Sequence, residues 1–311
     1  MMLRTTLKQA MKTEARFEAL SWEDYNAIDG VRYSTLKRIL ISPKHYQHAI
    51  SEPFEPSGAM QVGTAVHTKI LQPGIYEDTV VVFDEGASRN SAAYRSYKLK
   101  HEDKTILLEK EQEIVEAMAE AVKRNTFAND LVKACEPELA MIWDAECKGE
   151  LDEVIGVVPC KGRLDGLIRA HGDARDIIIG IKTSRDIAPD AFGRAAVNYD
   201  YTLQWGMYYS GCCAILQPHK DRLPIMYEIV IENKPPYDVV VCEITPAVIG
   251  NCLKVFNDAL RLYCRCQSSG QWPGCDMGNQ SVGIMLPRWA FDIGNDDVNI
   301  DFGGEEGWFD G

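Results

Sequence analysis

Cys160-Lys-Gly-Arg-Leu-Asp165-Gly-Leu-Ile-Arg169, followed by Asp176-Ile-Ile-Ile-Gly180-Ile-Lys182-Thr183, is the stretch that decides the fold of this chain. Both runs alternate or repeat apolar residues over strand length and are predicted to be neighbouring strands. Residues two apart on a strand share a face, so position 180 and Lys182 point the same way, and Asp165 approaches from the neighbouring strand. A carboxylate at position 180 would complete a cation site, but residue 180 is glycine.

Length and composition predict one elaborated domain with terminal extensions. The 311 residues are 46% hydrophobic and 25% charged, which is enough to bury a full core. We expect a flexible lead over residues 1–20, a single domain over 21–285 and an acidic, flexible tail over 286–311. Within the domain, residues 21–135 are expected to be mainly helical and 136–285 to form the catalytic core.

The net charge of −13 argues against a surface coated uniformly for nucleic acid, which needs clustered lysine and arginine. Part of this charge is separable, because seven acids follow the last basic residue, Arg288: Asp292, Asp296, Asp297, Asp301, Glu305, Glu306 and Asp310. The tail is expected to be solvated, a partner-binding segment, or a flap over a basic groove. No apolar run is long enough for a membrane span and no signal core opens the chain, so a cytoplasmic protein without membrane contact is expected.

The order of the predicted elements is helices first and a mixed sheet afterwards, which places the chain in the α/β class with an α+β mixed sheet flanked by helices. Helices are predicted over Ala59–Leu71, Glu109–Lys123, Phe192–Leu216 and Pro246–Cys266. Strands are predicted over Thr79–Phe83, Leu139–Trp143, Gly162–Arg169, Ile177–Thr183, Ile225–Ile231 and Val239–Ile244.

The residue types around the opening stretch suit phosphodiester hydrolysis. That reaction needs hard oxygen ligands for a divalent cation and a positioned water. Asp165 is the strongest candidate ligand, although an aspartate before Gly166 also fits a turn. Lys182 would orient water or neutralise transition-state charge, since a lysine ending an isoleucine-rich strand has little other reason to face inward.

Several short motifs in a fixed order resemble the PD-(D/E)xK nucleases, and among them the RecE type, the exonuclease VIII family of phages and prophages. The motifs are Ser34-Thr-Leu-Lys37, Ser42-Pro-Lys-His-Tyr46, Gly63-Thr-Ala-Val-His67, Glu138 to Trp143, Gly162-Arg-Leu-Asp165, Ile181-Lys-Thr183, Tyr201-Thr-Leu-Gln204-Trp-Gly-Met-Tyr208, Glu232-Asn-Lys-Pro-Pro-Tyr237 and Gly270-Gln-Trp-Pro273. The resemblance covers roughly residues 25 to 275 and implies a restriction-endonuclease-like core with an N-terminal helical elaboration.

The resemblance implies a Mg²⁺-dependent exodeoxyribonuclease, with Mn²⁺ as an alternative ion, that digests linear duplex DNA from its ends, 5′ to 3′, and leaves 3′ overhangs. By position, His67 would hold a metal, Asp165 would bridge metals, and the backbone carbonyl of Ile181 would complete the shell. Glu138 would support the site from the preceding strand. Gln204 would belong to the catalytic set and, with Tyr208 one turn further along the same helix, would help hold the scissile strand.

The DNA contacts predicted beside the site are Tyr201, Gln204, Tyr208, Thr183, Arg163, Lys161, Arg185 and Arg194. A second basic group either lines a channel or is a solvated face: Arg89, Arg95, Lys98 and Lys100. The resemblance further implies a ring-like homo-oligomer and a single-strand annealing partner in a bacterial or phage-infected cell.

The sequence departs from the family pattern at the acid of the (D/E)xK triplet, which is Gly180. Three explanations are open. The glycine is an engineered change, or it is a natural loss in a DNA-end-binding recombination scaffold without turnover. In the third explanation, a carboxylate from elsewhere in the chain has moved into the space. Asp176 is a poor replacement, being four residues and more than about 10 Å away along a strand. Glu138 is the better candidate.

Some members of the wider superfamily hold an iron–sulfur cluster with one cysteine before the nuclease core and three after it. Cys264, Cys266 and Cys275 suit the later three, but no cysteine precedes Cys135, and Ser42 stands where the early one is found. An iron–sulfur cluster is therefore not expected, and the ten cysteines fit reduced thiols.

Overall fold

A computed structural model gives the fold and describes residues 14–52, 56–86, 88–276, 281 and 283–284. The α-helices are α1 (Trp22–Ala27), α2 (Tyr33–Leu36), α3 (Pro43–Ser51), α4 (Gly58–Leu71), α5 (Tyr76–Thr79), α6 (Ala92–Lys100), α7 (Glu109–Arg124), α8 (Thr126–Ala134), α9 (Pro189–Asn198), α10 (Tyr201–Leu216) and α11 (Pro246–Ser269). The strands are β1 (Arg16–Glu18), β2 (Val80–Phe83), β3 (Thr105–Leu108), β4 (Glu136–Lys148), β5 (Val154–Ile168), β6 (Ile177–Ser184), β7 (Ile225–Glu232) and β8 (Val239–Glu243).

Six strands form one mixed sheet in the order β1-β4-β5-β6-β7-β8. All neighbours in this sheet are antiparallel except β6 and β7, which run parallel because helices α9 and α10 connect them. Strands β2 and β3 form a separate parallel pair. The predicted fold class, a mixed sheet flanked by helices, is confirmed.

Helices cover both faces of the central strands, which explains why β6 and β7 are apolar nearly throughout. Ile178 packs into the cluster that holds residues of α10 and α11, whereas Ile179 and Ile181 pack into the cluster with α4, α7 and α8. Because the side-chain period of a strand is two, positions 180 and 182 lie on the α10 side. The sheet therefore aims both motif positions at one helix.

Two predicted elements differ in the structure. The helix expected over Phe192–Leu216 is two helices, α9 and α10, because Asp200 between them adopts the left-handed backbone conformation with φ of 61°. The prediction of a flexible lead over residues 1–20 is wrong for the end of that segment, since Arg16–Glu18 forms an edge strand that pairs with β4. Residues 1–13 lie outside the described residues.

The chain divides into two compact units, Met1–Gly274 and Cys275–Gly311, so the first unit ends before residue 285, where the sequence predicted its end. All the helices and strands above belong to the first unit. Its region 21–135 also contains the two-stranded sheet, in which β2 agrees with the strand predicted over Thr79–Phe83 and β3 was not predicted. The acidic tail over 286–311 lies outside the described residues.

Among the residues that the structure describes, no helix is both long enough and apolar enough to pass through a bilayer.

Candidate active site

Three ligand-type side chains from α4, β4 and β5 converge at one point. His67, Glu138 and Asp165 each offer an atom within 4.8 Å of the other two. His67 Nδ1 lies 3.5 Å from Asp165 Oδ1, and the backbone N–H of Ile181 donates to Asp165 Oδ2 at 2.6 Å. Asp165 is thus fixed by β6 on one side and faces the α4 histidine on the other.

Glu138 reaches this point through an unusual backbone. Pro137 is paired with Gly166 and Leu139 with Leu164, so Glu138 lies opposite Asp165, yet its φ is 54°. A left-handed residue in a strand costs on the order of 1–3 kcal/mol and persists where the surroundings require it, often at functional sites. The carboxylate accepts from Arg163 Nε at 2.7 Å.

Lys182 lies between two acids. Its Nζ is 4.0 Å from Asp165 Oδ2 and 3.6 Å from Glu228 Oε2, and it donates to the carbonyl of Ile181 at 3.3 Å. That carbonyl, predicted as a metal ligand, therefore already has one contact. The ammonium also lies 5.4 Å from the centroid of the Tyr201 ring.

Glu228 is the site residue that the sequence prediction missed. It lies on β7, directly in register with Gly180, and is 1% exposed. Trp205 Nε1 donates to its Oε1 at 2.6 Å, while Oε2 is buried without a hydrogen-bond partner in the described structure. A lone acid inside the apolar run Ile225–Ile231 was the signal that could have revealed it.

Glu228, not Glu138, occupies the space beside Gly180. A Cβ added at Gly180 would fall within 3.0 Å of both carboxylate oxygens of Glu228. The Glu138 carboxylate lies instead in the cluster with His67 and Asp165, where Arg163 contacts it, and its role as the replacement acid stays a prediction.

Burial and neighbouring charges shift the pKa values of all five titratable side chains in the cluster, namely Asp165, Lys182, His67, Glu138 and Glu228. Burial would raise the pKa of Asp165, but His67 and Lys182 outweigh it and lower that pKa to about 2. Burial would lower the pKa of Lys182, but Glu228 and Asp165 hold it above its usual value, and Asp165 likewise raises the pKa of His67 against burial. Burial and nearby carboxylates raise the pKa values of Glu138 and Glu228.

Helix α10 covers the same site. Gln204 and Tyr208, one turn apart, line a cavity of about 10 Å³, the size of one water molecule, together with Asp165, Lys182 and Glu228.

A cleft of about 750 Å³ opens onto the cluster. Its lining includes His67, Glu138 and Asp165 at one end and aromatic residues from the N-terminal helices, with Trp22 59% exposed. The guanidinium of Arg163 lies 4.8 Å from the centroid of the Trp22 ring. The cleft therefore combines an aromatic platform, a cation and acidic ligands.

Known proteins share the sequence pattern and the fold of this chain. Residues 33–279 match the family model described as a PDDEXK-like domain of unknown function (DUF3799). The chain belongs to this family. A crystal structure of a proposed exonuclease from Eubacterium rectale is similar, with a TM-score of 0.53 and 12% identity, covering 89% of this chain and 99% of that one. At that identity the likeness shows the fold alone.

A second solved structure, SSO0001, aligns with a TM-score of 0.29 and 16% identity over 74% of this chain and 84% of that one, too weak to support an argument. No curated protein matches the sequence. Membership of the PDDEXK-like family, together with the fold, supports a nuclease.

The donor set of this family member fits a divalent cation. Carboxylate oxygens of Glu138 and Asp165 are the hard ligands that Mg²⁺ and Mn²⁺ accept, and an imidazole suits Mn²⁺ as well. The buried Oε2 of Glu228, which has no hydrogen-bond partner among the described residues, adds a third candidate oxygen.

Lys161, predicted to contact DNA, and Arg89, from the second basic group, both make contacts within the protein. Lys161 is 5% exposed, and its ammonium donates to the carbonyls of Tyr25, Asn26 and Ile28 at 2.9, 3.3 and 2.6 Å. Arg89 donates to both carboxylate oxygens of Glu111. The burial of Lys161 and its three carbonyl partners contradict its predicted contact with DNA.

The other basic predictions lie at the surface. The exposed residues of this group are Arg95, Lys98, Lys100, Arg185 and Arg194, the last paired with Asp190 at 3.1 Å. Thr183, at the end of β6, and Tyr201 are half-buried. Contacts of these residues with DNA stay predictions.

Replacing Lys161 with methionine should lower the free energy of unfolding by about 2–4 kcal/mol, because three carbonyls at the end of α1 lose a charged donor. Urea denaturation measures the change. Lys254→Met, at an exposed position of α11, is the control and should shift stability by less than about 0.5 kcal/mol. Equal stabilities of the two variants would contradict the anchoring role of Lys161.

Proposed function

We propose that the protein is a Mg²⁺-dependent exodeoxyribonuclease that acts on the ends of linear double-stranded DNA, 5′ to 3′, and leaves 3′ overhangs. The observation that carries the proposal is Asp165, which faces His67 and Glu138 on one side and Lys182 on the other, at the end of the cleft. Family membership and the RecE-type resemblance support the reaction class.

Each side chain has a role that follows from its surroundings. Asp165, with its depressed pKa, stays ionised and suits a ligand shared between neighbouring positions. A bound Mg²⁺ would supply Lewis-acid polarisation of the phosphodiester and an activated water. His67 and Glu138 complete the ligand group from α4 and β4.

Lys182 acts as a cation in this proposal and not as a base. Its raised pKa, caused by Glu228 and Asp165 despite burial, keeps the ammonium protonated at neutral pH. A positive charge beside the ligands stabilises the charge that develops on the phosphoryl oxygens. Gln204 and Tyr208 line the same cavity and would position the scissile strand.

End-labelled linear duplex DNA tests the reaction. Incubation with Mg²⁺ should release labelled mononucleotides from 5′ ends before 3′ ends and leave 3′ single strands. EDTA should stop digestion, and covalently closed circular DNA should survive. Cleavage of the closed circle at a comparable rate would overturn the exonuclease proposal in favour of an endonuclease.

A second candidate is a DNA-end-binding recombination scaffold without turnover, which the absence of an acid at Gly180 favours. Glu228 weakens that argument, because its side chain, on the neighbouring strand β7, places a carboxylate beside Gly180. Tight binding of duplex ends without nucleotide release in Mg²⁺ or Mn²⁺ would support the scaffold.

Trp22→Ala should weaken binding of overhanging DNA about tenfold, because stacking of a base on an exposed aromatic contributes about 1–3 kcal/mol. Fluorescence anisotropy in Ca²⁺, which suppresses turnover in many Mg²⁺ nucleases, measures the affinity. Trp22→Phe keeps a ring and should bind within about threefold of the unchanged chain. Full DNA affinity in the Trp22→Ala variant would contradict a contact between Trp22 and DNA.

The partners proposed with this function rest on the RecE-type resemblance: a ring-like homo-oligomer and a single-strand annealing protein. Light scattering of the purified chain tests the first. A single-subunit mass at micromolar concentration would contradict the ring.

A further inference from the structure

Gly180 and Glu228 are in register on parallel strands and contact each other. Paired residues of adjacent strands project to the same face of a sheet, about 4.8 Å apart, so the longer glutamate side chain can return toward β6. Met226 and Val230, two residues on either side of Glu228, pack on the α10 side, which is the side of position 182. Glu228 therefore shares a face with Lys182.

The Glu228 side chain leaves no room for a side chain at position 180. Any side chain at position 180 would place a Cβ within 3.0 Å of the Glu228 carboxylate oxygens. Glycine is otherwise a poor residue for the interior of a strand. The glycine is therefore explained by the glutamate beside it, without invoking a lost function.

Burial of Glu228 needs a reason. The residue is 1% exposed, its Oε1 accepts from Trp205 at 2.6 Å, and its Oε2 has no hydrogen-bond partner in the described part of the chain. The nearest cation to Oε2 is Lys182 Nζ, 3.6 Å away, which Asp165 shares. A buried carboxylate oxygen left with only a long ion pair is costly unless a further ligand binds it.

We propose that Glu228 supplies the acid that the (D/E)xK triplet lacks, so that the cation ligand has moved from β6 to the adjacent strand β7. The ligand set on this side is then Glu228 and Asp165, with Lys182 beside both, and the small cavity that all three line is the cation position. Glu228 takes a divalent cation, in the class of Mg²⁺ and Mn²⁺. This inference deepens the proposed function and rests on it for the reaction only.

Calorimetric titration of the full chain with Mn²⁺ tests the inference without any DNA. Glu228→Gln keeps the size and the acceptor for Trp205 but removes the charge, and should lower Mn²⁺ affinity at least about tenfold. Glu243→Gln, an exposed acid on the next strand, is the matched control and should bind as the unchanged chain. Affinity within about twofold in a folded Glu228→Gln would overturn the proposal.

A relocation variant keeps the test decisive if Glu228→Gln does not fold. Gly180→Asp combined with Glu228→Ala returns the acid to β6 and removes the side chain that would collide with it. This double variant should bind Mn²⁺ within about tenfold of the unchanged chain. A folded double variant without Mn²⁺ binding would overturn the proposal in that case.

The outcome is separable from that of the proposed function. Loss of Mn²⁺ binding in Glu228→Gln, in a chain that digests no DNA, would uphold Glu228 as ligand while the exonuclease proposal fails. If the unchanged chain digests DNA and Glu228→Gln binds Mn²⁺ with unchanged affinity, the proposed function stands and Glu228 is not a cation ligand.

Discussion

Asp165→Asn should abolish DNA digestion, with a loss of roughly 10³-fold or more in rate. Among the residues that the structure describes, Asp165 is the one acid within 4.0 Å of both His67 and Lys182, and it lines both the cleft and the small cavity. The asparagine oxygen can still accept from Ile181 N–H, so the local backbone should hold. Nucleotide release from linear duplex DNA under saturating Mg²⁺ measures the loss.

Circular dichroism of the same sample separates lost chemistry from lost fold. Asp221→Asn, at a side chain that is 86% exposed, is the matched control and should digest DNA at the rate of the unchanged chain. Activity of a folded Asp165→Asn within tenfold of the unchanged chain would contradict the assignment of Asp165 as the shared ligand.

Gly180→Ala should destabilise the protein by about 2–4 kcal/mol and impair the site, although it adds only a methyl group. The new Cβ must displace the buried carboxylate of Glu228, which Trp205 and Lys182 hold in place. The (D/E)xK motif alone suggests that Gly180→Asp would increase activity. We expect no increase from this single substitution, because the new side chain would collide with Glu228. Urea denaturation measures the free energy of unfolding.

A second glycine provides the contrast. Gly250 lies in α11 with open space where a Cβ would project, so Gly250→Ala should stabilise by about 0.5–1 kcal/mol through helix propensity. Equal effects of the two substitutions would mean that the Glu228 carboxylate moves aside freely, and the mutual exclusion of residues 180 and 228 would be wrong.

The fold was predictable where apolar periodicity was long and clear. The spacing around Val66 and around Met118 predicted α4 and α7, and the isoleucine run before Lys182 predicted β6. The break at Asp200 was not predictable, because the apolar pattern continues across it and only the backbone conformation divides the helices. Neither was the edge strand at Arg16–Glu18, whose pairing partner lies more than a hundred residues away.

The candidate site was predictable for residues within motifs and not for residues that depend on pairing. His67, Asp165 and Lys182 are brought together as predicted, and Glu138 joins them. Glu228 was missed because its role follows from the register of β7 against β6, which no local pattern fixes. Lys161 was misassigned because sequence does not show whether a lysine beside a site turns inward.

The measurement that tests the central claim most directly is the rate of nucleotide release from linear duplex DNA by the unmodified chain in Mg²⁺. The site formed by Asp165, Lys182 and Glu228 is complete in this account, so the chain should digest linear DNA without restoration of an acid at Gly180, and EDTA should stop it. A folded chain that binds Mn²⁺ yet releases no nucleotide from linear DNA in either cation would contradict the account.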